Sequence, residues 1–262
     1  MKKPLQILNG LGLIAVIFIS YLSNTGIFNG NTIASVSTKY HSLFTPAGYA
    51  FSIWGLIYLG LLGFVFYYGR SLFIAVGKED DTIKHVGWWF FISCLANITW
   101  VITWLYDYTF VSVLMMILLL FSLLRIVVNT RMELDDVPLS KLMFLWWPFC
   151  LYSGWITVAL IANIAAYLKK IAWDGFGIPE TIWAVIMIAI AAAVNIFMVW
   201  NRNMREFAIV GVWALIAIAV ANQNENAMVF WTAITMAVLV FINIAIHGFQ
   251  NRKSNPLYKL MQ

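Results

Sequence analysis

Eight apolar runs, each about as long as a membrane span, alternate with short polar segments along this chain. A helix rises ~1.5 Å per residue and the hydrocarbon core of a bilayer is ~30 Å thick, so a run of about 20 apolar residues predicts a spanning helix. The runs therefore predict an all-α integral membrane protein of eight spans. They cover approximately residues 5–26, 46–68, 87–106, 109–128, 142–168, 181–200, 207–221 and 227–248.

Composition agrees with this prediction. The chain is 63% hydrophobic and 10% charged, whereas soluble domains are roughly half apolar and a quarter charged. The net charge of +5 is spread over short loops, which indicates a role in membrane topology and no nucleic-acid partner. Cys94 and Cys150 lie within apolar runs, so we expect two core thiols without a disulfide or a metal site. The first run follows Lys2 and Lys3 like a signal peptide, but no small-x-small cleavage site follows it, which favours a spanning helix.

The Lys and Arg residues fall mainly on one side of the predicted membrane. With both termini cytoplasmic, only Lys39, Lys169 and Lys170 lie outside, and the other 13 of the 16 lie inside. This asymmetry predicts cytoplasmic termini in a bacterial-type inner membrane, because cytoplasmic loops are enriched in Lys and Arg. The inside set is Lys2, Lys3, Arg70, Lys78, Lys84, Arg125, Arg131, Lys141, Arg202, Arg205, Arg252, Lys253 and Lys259.

No Asp or Glu occupies the middle of a predicted span. Ion-coupled transporters commonly carry an ionisable group near the bilayer midplane, so this pattern argues against ion coupling. The polar groups within the spans are the amides Asn97, Asn163, Asn195 and Asn243, for which interhelical hydrogen bonds are the ordinary interpretation.

Aromatic and amide residues form a stripe on three of the predicted helices. Residues three or four positions apart share one face of a helix, and the predicted topology places all three stripes in the outer half of the membrane. The stripes are Phe51, Trp54 and Tyr58 on the second helix, Asn97, Trp100 and Trp104 on the third, and Tyr152, Trp155, Ala159 and Asn163 on the fifth.

These stripes resemble motifs of the tryptophan-rich sensory proteins (TspO/MBR), the translocator protein family. That family carries a signature of the type W-x-P-P-x-x-x-F-x-x-V-W-x-x-L-Y, to which Phe44-Thr45-Pro46-Ala47 followed by Phe51, Trp54 and Tyr58 is similar. Ala96-Asn97-Ile98-Thr99-Trp100 looks like its L-N-x-x-W element. The family's P-Y-x-x-W element is followed by a polar residue eight positions after the Trp, and Trp155, preceded by Pro148 and followed eight positions later by Asn163, is similar to it. The resemblance covers about residues 1–170 and implies a TspO-like five-helix domain there, with three further transmembrane helices in residues 171–262.

The resemblance also implies a function. Members of the family bind porphyrins and other tetrapyrroles, or sterols, between their helices and commonly form homodimers. We therefore expect a sensor-like protein that binds a tetrapyrrole or a sterol or isoprenoid lipid, has no covalently bound cofactor and no metal site, and has membrane lipid and a second copy of itself as partners. The residues expected to bind the ligand are Pro46, Phe51, Trp54, Tyr58, Asn97, Trp100, Trp104, Tyr152, Trp155 and Asn163.

Three other functions remain open at this point. One is an enzyme that degrades porphyrin with light and oxygen, for which the resemblance suggests Trp54 and Trp155 as catalytic candidates. The second is a transporter of a neutral or amphipathic solute, and the third is a structural membrane protein without a ligand. Light-dependent loss of the porphyrin Soret band would identify the enzyme, and solute flux into vesicles would identify the transporter.

Overall fold

The structure is a computed structural model that describes residues 2–74 and 81–251; Lys78, Arg252, Lys253 and Lys259, which the topology prediction counts, lie outside this range. The described part is all-α, as predicted. Seven helices are long and apolar enough to cross a membrane, and an eighth, of 17 residues, is apolar but shorter. The α-helices of these eight segments are α1 (Lys2–Leu22), α3 (Ile53–Gly69), α5 (Trp89–Leu105), α6 (Thr109–Asn129), α8 (Trp147–Lys170), α9 (Glu180–Arg202), α10 (Arg205–Asn222) and α11 (Ala227–Gln250). Adjoining helical turns extend the α3 segment to Gly48–Leu72 and the α8 segment to Leu139–Lys170. Three further helices are short, namely α2 (Ile33–Lys39), α4 (Thr82–Val86) and α7 (Leu139–Lys141), which opens the α8 segment.

A tight hairpin joins the third and fourth of the predicted spans. α5 ends at Leu105 and α6 begins at Thr109. Asp107, in the turn, has a positive φ of 62°, a conformation that Asp adopts more readily than most residues because its short polar side chain can hydrogen-bond locally. The backbone N–H of Tyr108 donates to Thr103 O at 2.8 Å, which closes the end of α5.

The second span begins differently from the prediction. The apolar run predicts a helix from Pro46, but the chain first forms a 3₁₀ turn at Gly48–Ser52, and α3 begins at Ile53. Two hydrogen bonds to α10 engage the preceding segment, since the backbone N–H of Ala47 donates to Ala217 O at 3.0 Å and Trp213 Nε1 donates to Ala50 O at 3.3 Å. A regular α-helix from Pro46 would pair the Ala50 carbonyl internally but would leave the N–H of Ala47 unpaired in its first turn, so the bond to Ala217 gives this N–H a partner.

The fifth span also has an irregular start. A single π-helical turn, Leu142–Trp146, follows α7 and leads into α8. Pro148 lies at the second position of α8, directly after the π-helical turn, and because proline has no N–H it cannot continue a regular ladder of hydrogen bonds through this point. A β-carbon built on Gly60 of α3 would lie 3.2 Å from the Pro148 ring, so a small residue is needed where α3 and α8 approach each other.

The chain folds into two compact units. Unit 1 comprises residues 1–36 and 54–153, and unit 2 comprises residues 37–53 and 154–262. The predicted domain boundary near residue 170 stays a prediction. Both cysteines are buried, as expected of core residues.

Unit 1 contains α1, α3, α5, α6 and the first residues of α8. Small residues permit close helix contact, as at Gly12 of α1, where a β-carbon would lie 3.2 Å from the Cys94 β-carbon of α5. Such positions are typical of helix packing in membranes, where lipid offers apolar surface as readily as another helix does.

Unit 2 contains the rest of α8 together with α9, α10 and α11. Gly154 of α8 lies directly against the backbone of Phe207 in α10, because a β-carbon there would lie 2.7 Å from Phe207 O. The polar run after α10 has a structural role. Asn226 caps α11 by accepting from Val229 N at 3.1 Å, and Asn222 donates to Leu43 O at 2.9 Å.

Candidate functional site

Four aromatic side chains of unit 1 form one cluster around Trp54, and we call Trp54, Tyr58, Trp100 and Tyr152 the Trp54 cluster. Trp54 stacks on Tyr58 with a centroid distance of 5.4 Å and an interplanar angle of 26°, and on Trp100 at 6.0 Å and 28°. Tyr152 meets Trp54 edge-on at 5.8 Å and 69°. Trp54, Trp100 and Tyr152 are buried, at 9%, 5% and 2% exposed, and Tyr58 is half-buried. Each of the three predicted stripes thus contributes at least one residue to this cluster.

Two hydrogen bonds fix the tyrosines of the cluster. The Tyr58 hydroxyl lies 2.7 Å from Ser20 Oγ of α1, and Asn97 Nδ2 of α5 donates to the Tyr152 hydroxyl at 2.9 Å. The second bond is the interhelical bond expected of a membrane amide. It joins α5 to α8, so the cluster and its polar partners draw on α1, α3, α5 and α8.

The remaining polar atom of Asn97 is its amide oxygen. Asn97 is fully buried, and its Oδ1 has no hydrogen bond within the described part of the chain. A buried acceptor without a donor costs about 1–3 kcal/mol. This oxygen can accept a hydrogen bond from an N–H or O–H group that reaches it.

Trp104 belongs to the same stripe as Asn97 and Trp100 but has a different role. It lies a turn further along α5, and its Nε1 donates to Ile33 O at 3.3 Å. Asn31 Nδ2 donates to Leu105 O at 2.9 Å close by. These bonds attach the start of α2 to the end of α5, so Trp104 anchors a loop and does not contribute a ring to the Trp54 cluster.

The other four expected residues lie in unit 2. Phe51 meets Trp155 edge-on, with a centroid distance of 6.0 Å and an interplanar angle of 84°. Trp155 and Asn163 are 2% and 4% exposed, and Pro46 is buried. The two catalytic candidates, Trp54 and Trp155, therefore each pack in an aromatic group of their own unit, and their role in catalysis stays a prediction.

Unit 2 also contains a cavity of about 340 Å³ that the sequence did not predict. Small-molecule sites commonly have volumes of about 300–1,000 Å³ and are mostly apolar with a few polar groups. None of the ten expected residues lines the cavity. Its lining consists of Ser42, Leu43, Phe44, Ile161, Ile164, Ala165, Leu168, Lys169, Trp173, Asp174, Gly175, Ile178, Glu180, Trp183, Ala184 and Met187.

One sequence signal could have pointed to this cavity. An apolar face of one helix is indicated by the spacing of Ile161, Ile164, Ala165 and Leu168. The sequence that follows this helix contains charged residues and two tryptophans, Trp173 and Trp183. Residues 171–179 carry no family motif, and their sequence alone indicates only a connecting loop.

Comparison with known proteins identifies a family. The sequence model of a family described as "TSPO-like protein" matches residues 6–246. The match extends well beyond the five spans that carry the motifs and includes residues of all eight apolar helices. No curated protein and no solved structure matches the chain.

Proposed function

The chain belongs to the family of TSPO-like proteins, and we propose that it binds a flat hydrophobic ligand, a tetrapyrrole or a sterol or isoprenoid lipid, at the Trp54 cluster. One observation carries the proposal. The rings of Tyr58 and Trp100 each lie within 28° of parallel to Trp54, and Trp54 and Trp100 are buried.

The stack suggests how a ligand would be held. Tyr58 covers one face of Trp54 and is the least buried ring of the cluster, so a flat ligand would displace Tyr58 and take its place on the indole. The displacement costs the hydrogen bond between Tyr58 and Ser20, worth about 0.5–1.5 kcal/mol net. Stacking on Trp54 contributes a similar amount, and burial of the ligand's apolar surface contributes more.

Asn97 adds a polar requirement. Its buried amide oxygen would accept a hydrogen bond from a pyrrole N–H of a tetrapyrrole or from the hydroxyl of a sterol. A ligand that supplies this donor would satisfy an atom that otherwise costs free energy in the folded protein. The pair of requirements, a flat apolar face and one donor, defines the ligand class.

Titration with protoporphyrin IX and with cholesterol tests the proposal. The protein in lipid nanodiscs should show saturable quenching of tryptophan fluorescence by protoporphyrin IX in the dark, or saturable binding of cholesterol, beyond the uptake by empty nanodiscs. Absence of saturable binding for both ligands would contradict it. The same titration under illumination in air distinguishes the porphyrin-degrading enzyme from a protein that only binds. If the protein is the enzyme, the Soret band of protoporphyrin IX should disappear, at a rate that falls in the Trp54→Phe and Trp155→Phe variants.

The membrane orientation is a further part of the proposal. We infer that both termini face the cytoplasm of a bacterial-type inner membrane, because the Lys and Arg residues are concentrated on that predicted side. Fusions of alkaline phosphatase and of green fluorescent protein to each terminus measure this directly. Phosphatase activity from either end would contradict the inferred topology.

A further inference from the structure

The cavity of unit 2 has a polar end and an apolar end. Lys169 near the end of α8 and Glu180 at the start of α9 form an ion pair of 2.8 Å, which brings these two helix ends together. From there the lining residues continue along α8 to Ile161 and along α9 to Met187. These distances along the helices correspond to about 10–12 Å. The lining suits an amphipathic molecule whose head lies at the polar end and whose apolar part lies between α8 and α9.

The charges at the polar end favour one sign of head group. Both carboxylate oxygens of Glu180 have a partner, because Oε2 pairs with Lys169 and Oε1 accepts a hydrogen bond from Leu43 N at 3.2 Å. The Lys169 ammonium is thereby paired with Glu180. Asp174 accepts from Phe176 N at 3.1 Å and has no salt bridge within residues 2–74 and 81–251. The charge left without a counterion in the lining is therefore the Asp174 carboxylate.

Two indoles line the same cavity as this carboxylate. The rings of Trp173 and Trp183 are 5.3 Å apart with an interplanar angle of 52°, and Trp183 Nε1 donates to Gly175 O at 2.9 Å, which fixes its ring. Both tryptophans line the cavity. Indole faces attract cations through their electron-rich surface, and tryptophan does so best of the aromatic residues, which is how proteins commonly recognise quaternary ammonium groups.

We propose that this cavity is a second binding site, separate in its residues from the Trp54 cluster, for a cationic amphiphile with an ammonium head. The ammonium group lies between Asp174 and the indoles of Trp173 and Trp183, and a single apolar chain or ring system extends along Ile161, Ala165 and Met187. The site does not depend on whether the Trp54 cluster binds a tetrapyrrole.

The test compares ligands of equal chain length and opposite head charge. Binding of decyltrimethylammonium and of decyl sulfate is measured below their micellar concentrations on the full-length protein in neutral-lipid nanodiscs, corrected for uptake by empty nanodiscs. We expect saturable binding of the ammonium compound with an affinity about tenfold or more above that of the sulfate. Equal affinity for both compounds, or tighter binding of the sulfate, would overturn the assignment of the head group.

Two variants locate the site. Ala165→Phe fills the apolar part of the cavity and should reduce ammonium binding at least about tenfold, whereas Ile190→Phe, at an exposed position of α9 outside the lining, should not. Asp174→Asn keeps an oxygen that can accept from Phe176 N and should reduce the ratio of ammonium to sulfate affinity, whereas Asp136→Asn in unit 1 should leave it unchanged. The thermal unfolding midpoints of Ala165→Phe and Ile190→Phe show whether both variants are equally well folded. If they are, and Ala165→Phe binds the ammonium compound as tightly as the wild type, the proposed site is refuted.

Discussion

Replacing Trp54 with alanine is expected to weaken the binding of protoporphyrin IX by about tenfold or more. An aromatic stack contributes about 0.5–1.5 kcal/mol beyond the area it buries, and truncation of the indole also removes buried apolar contact. The combined loss exceeds about 1.4 kcal/mol, which corresponds to a factor of ten in the dissociation constant. Trp54→Phe keeps a ring at the same position and should cost less. The measurement is the quenching titration in nanodiscs.

Two further substitutions serve as controls for Trp54→Ala. Trp200→Ala removes an indole of unit 2 that is 43% exposed and donates to Asn243 Oδ1, and it should leave the affinity unchanged. Tyr58→Ala removes the ring that we propose the ligand displaces, so it should leave the affinity unchanged or raise it. Equal affinities of Trp54→Ala and Trp200→Ala would show that Trp54 is a packing residue.

Gly154→Ala is expected to destabilise the folded protein by about 1–3 kcal/mol. The added β-carbon would lie 2.7 Å from Phe207 O and 3.2 Å from Phe207 Cα. Both are backbone atoms of α10, so no side-chain rotation can relieve the overlap, and α8 and α10 must move apart locally. Elsewhere in a helix the same change is favourable by up to about 1 kcal/mol, because alanine has the higher helix propensity.

The matched control is Gly55→Ala in α3. A β-carbon at Gly55 meets no atom within 4 Å, so this variant should have the stability of the wild type or slightly more. Thermal unfolding in a mild detergent compares the two variants. We expect the midpoint of Gly154→Ala to lie several degrees below that of Gly55→Ala, and equal midpoints would contradict the close approach of the two backbones.

The sequence predicted the helices well because apolar length is a strong signal in a membrane protein. All eight predicted spans correspond to apolar helices, and the short connection at Asp107 was evident from the two adjoining runs. The start of α3 was not evident. Its 3₁₀ turn is accompanied by hydrogen bonds from Ala47 to Ala217 and from Trp213 to Ala50, and bonds between residues so far apart in the chain leave no periodic pattern.

The two candidate sites also differ in how much of each could be predicted from the sequence. The sequence singled out the residues of the Trp54 cluster because each belongs to a stripe with helical spacing, but it could not orient one stripe toward another. Trp104 shares the spacing of Trp100 but donates to Ile33 O in a loop, which periodicity alone does not distinguish. The cavity near Trp173 and Trp183 was missed, because it depends on a loop conformation and on the pairing of Lys169 with Glu180.

Whether the Trp54 cluster is the ligand site is tested most directly by ¹⁹F NMR of protein labelled with 5-fluorotryptophan. Substitution of single tryptophans by phenylalanine assigns the resonances of Trp54, Trp100 and Trp200 among the 13 tryptophans. Addition of protoporphyrin IX should shift the Trp54 and Trp100 resonances through the ring current of the bound macrocycle and leave Trp200 in place. Saturable binding without a shift at Trp54 and Trp100 would contradict the account.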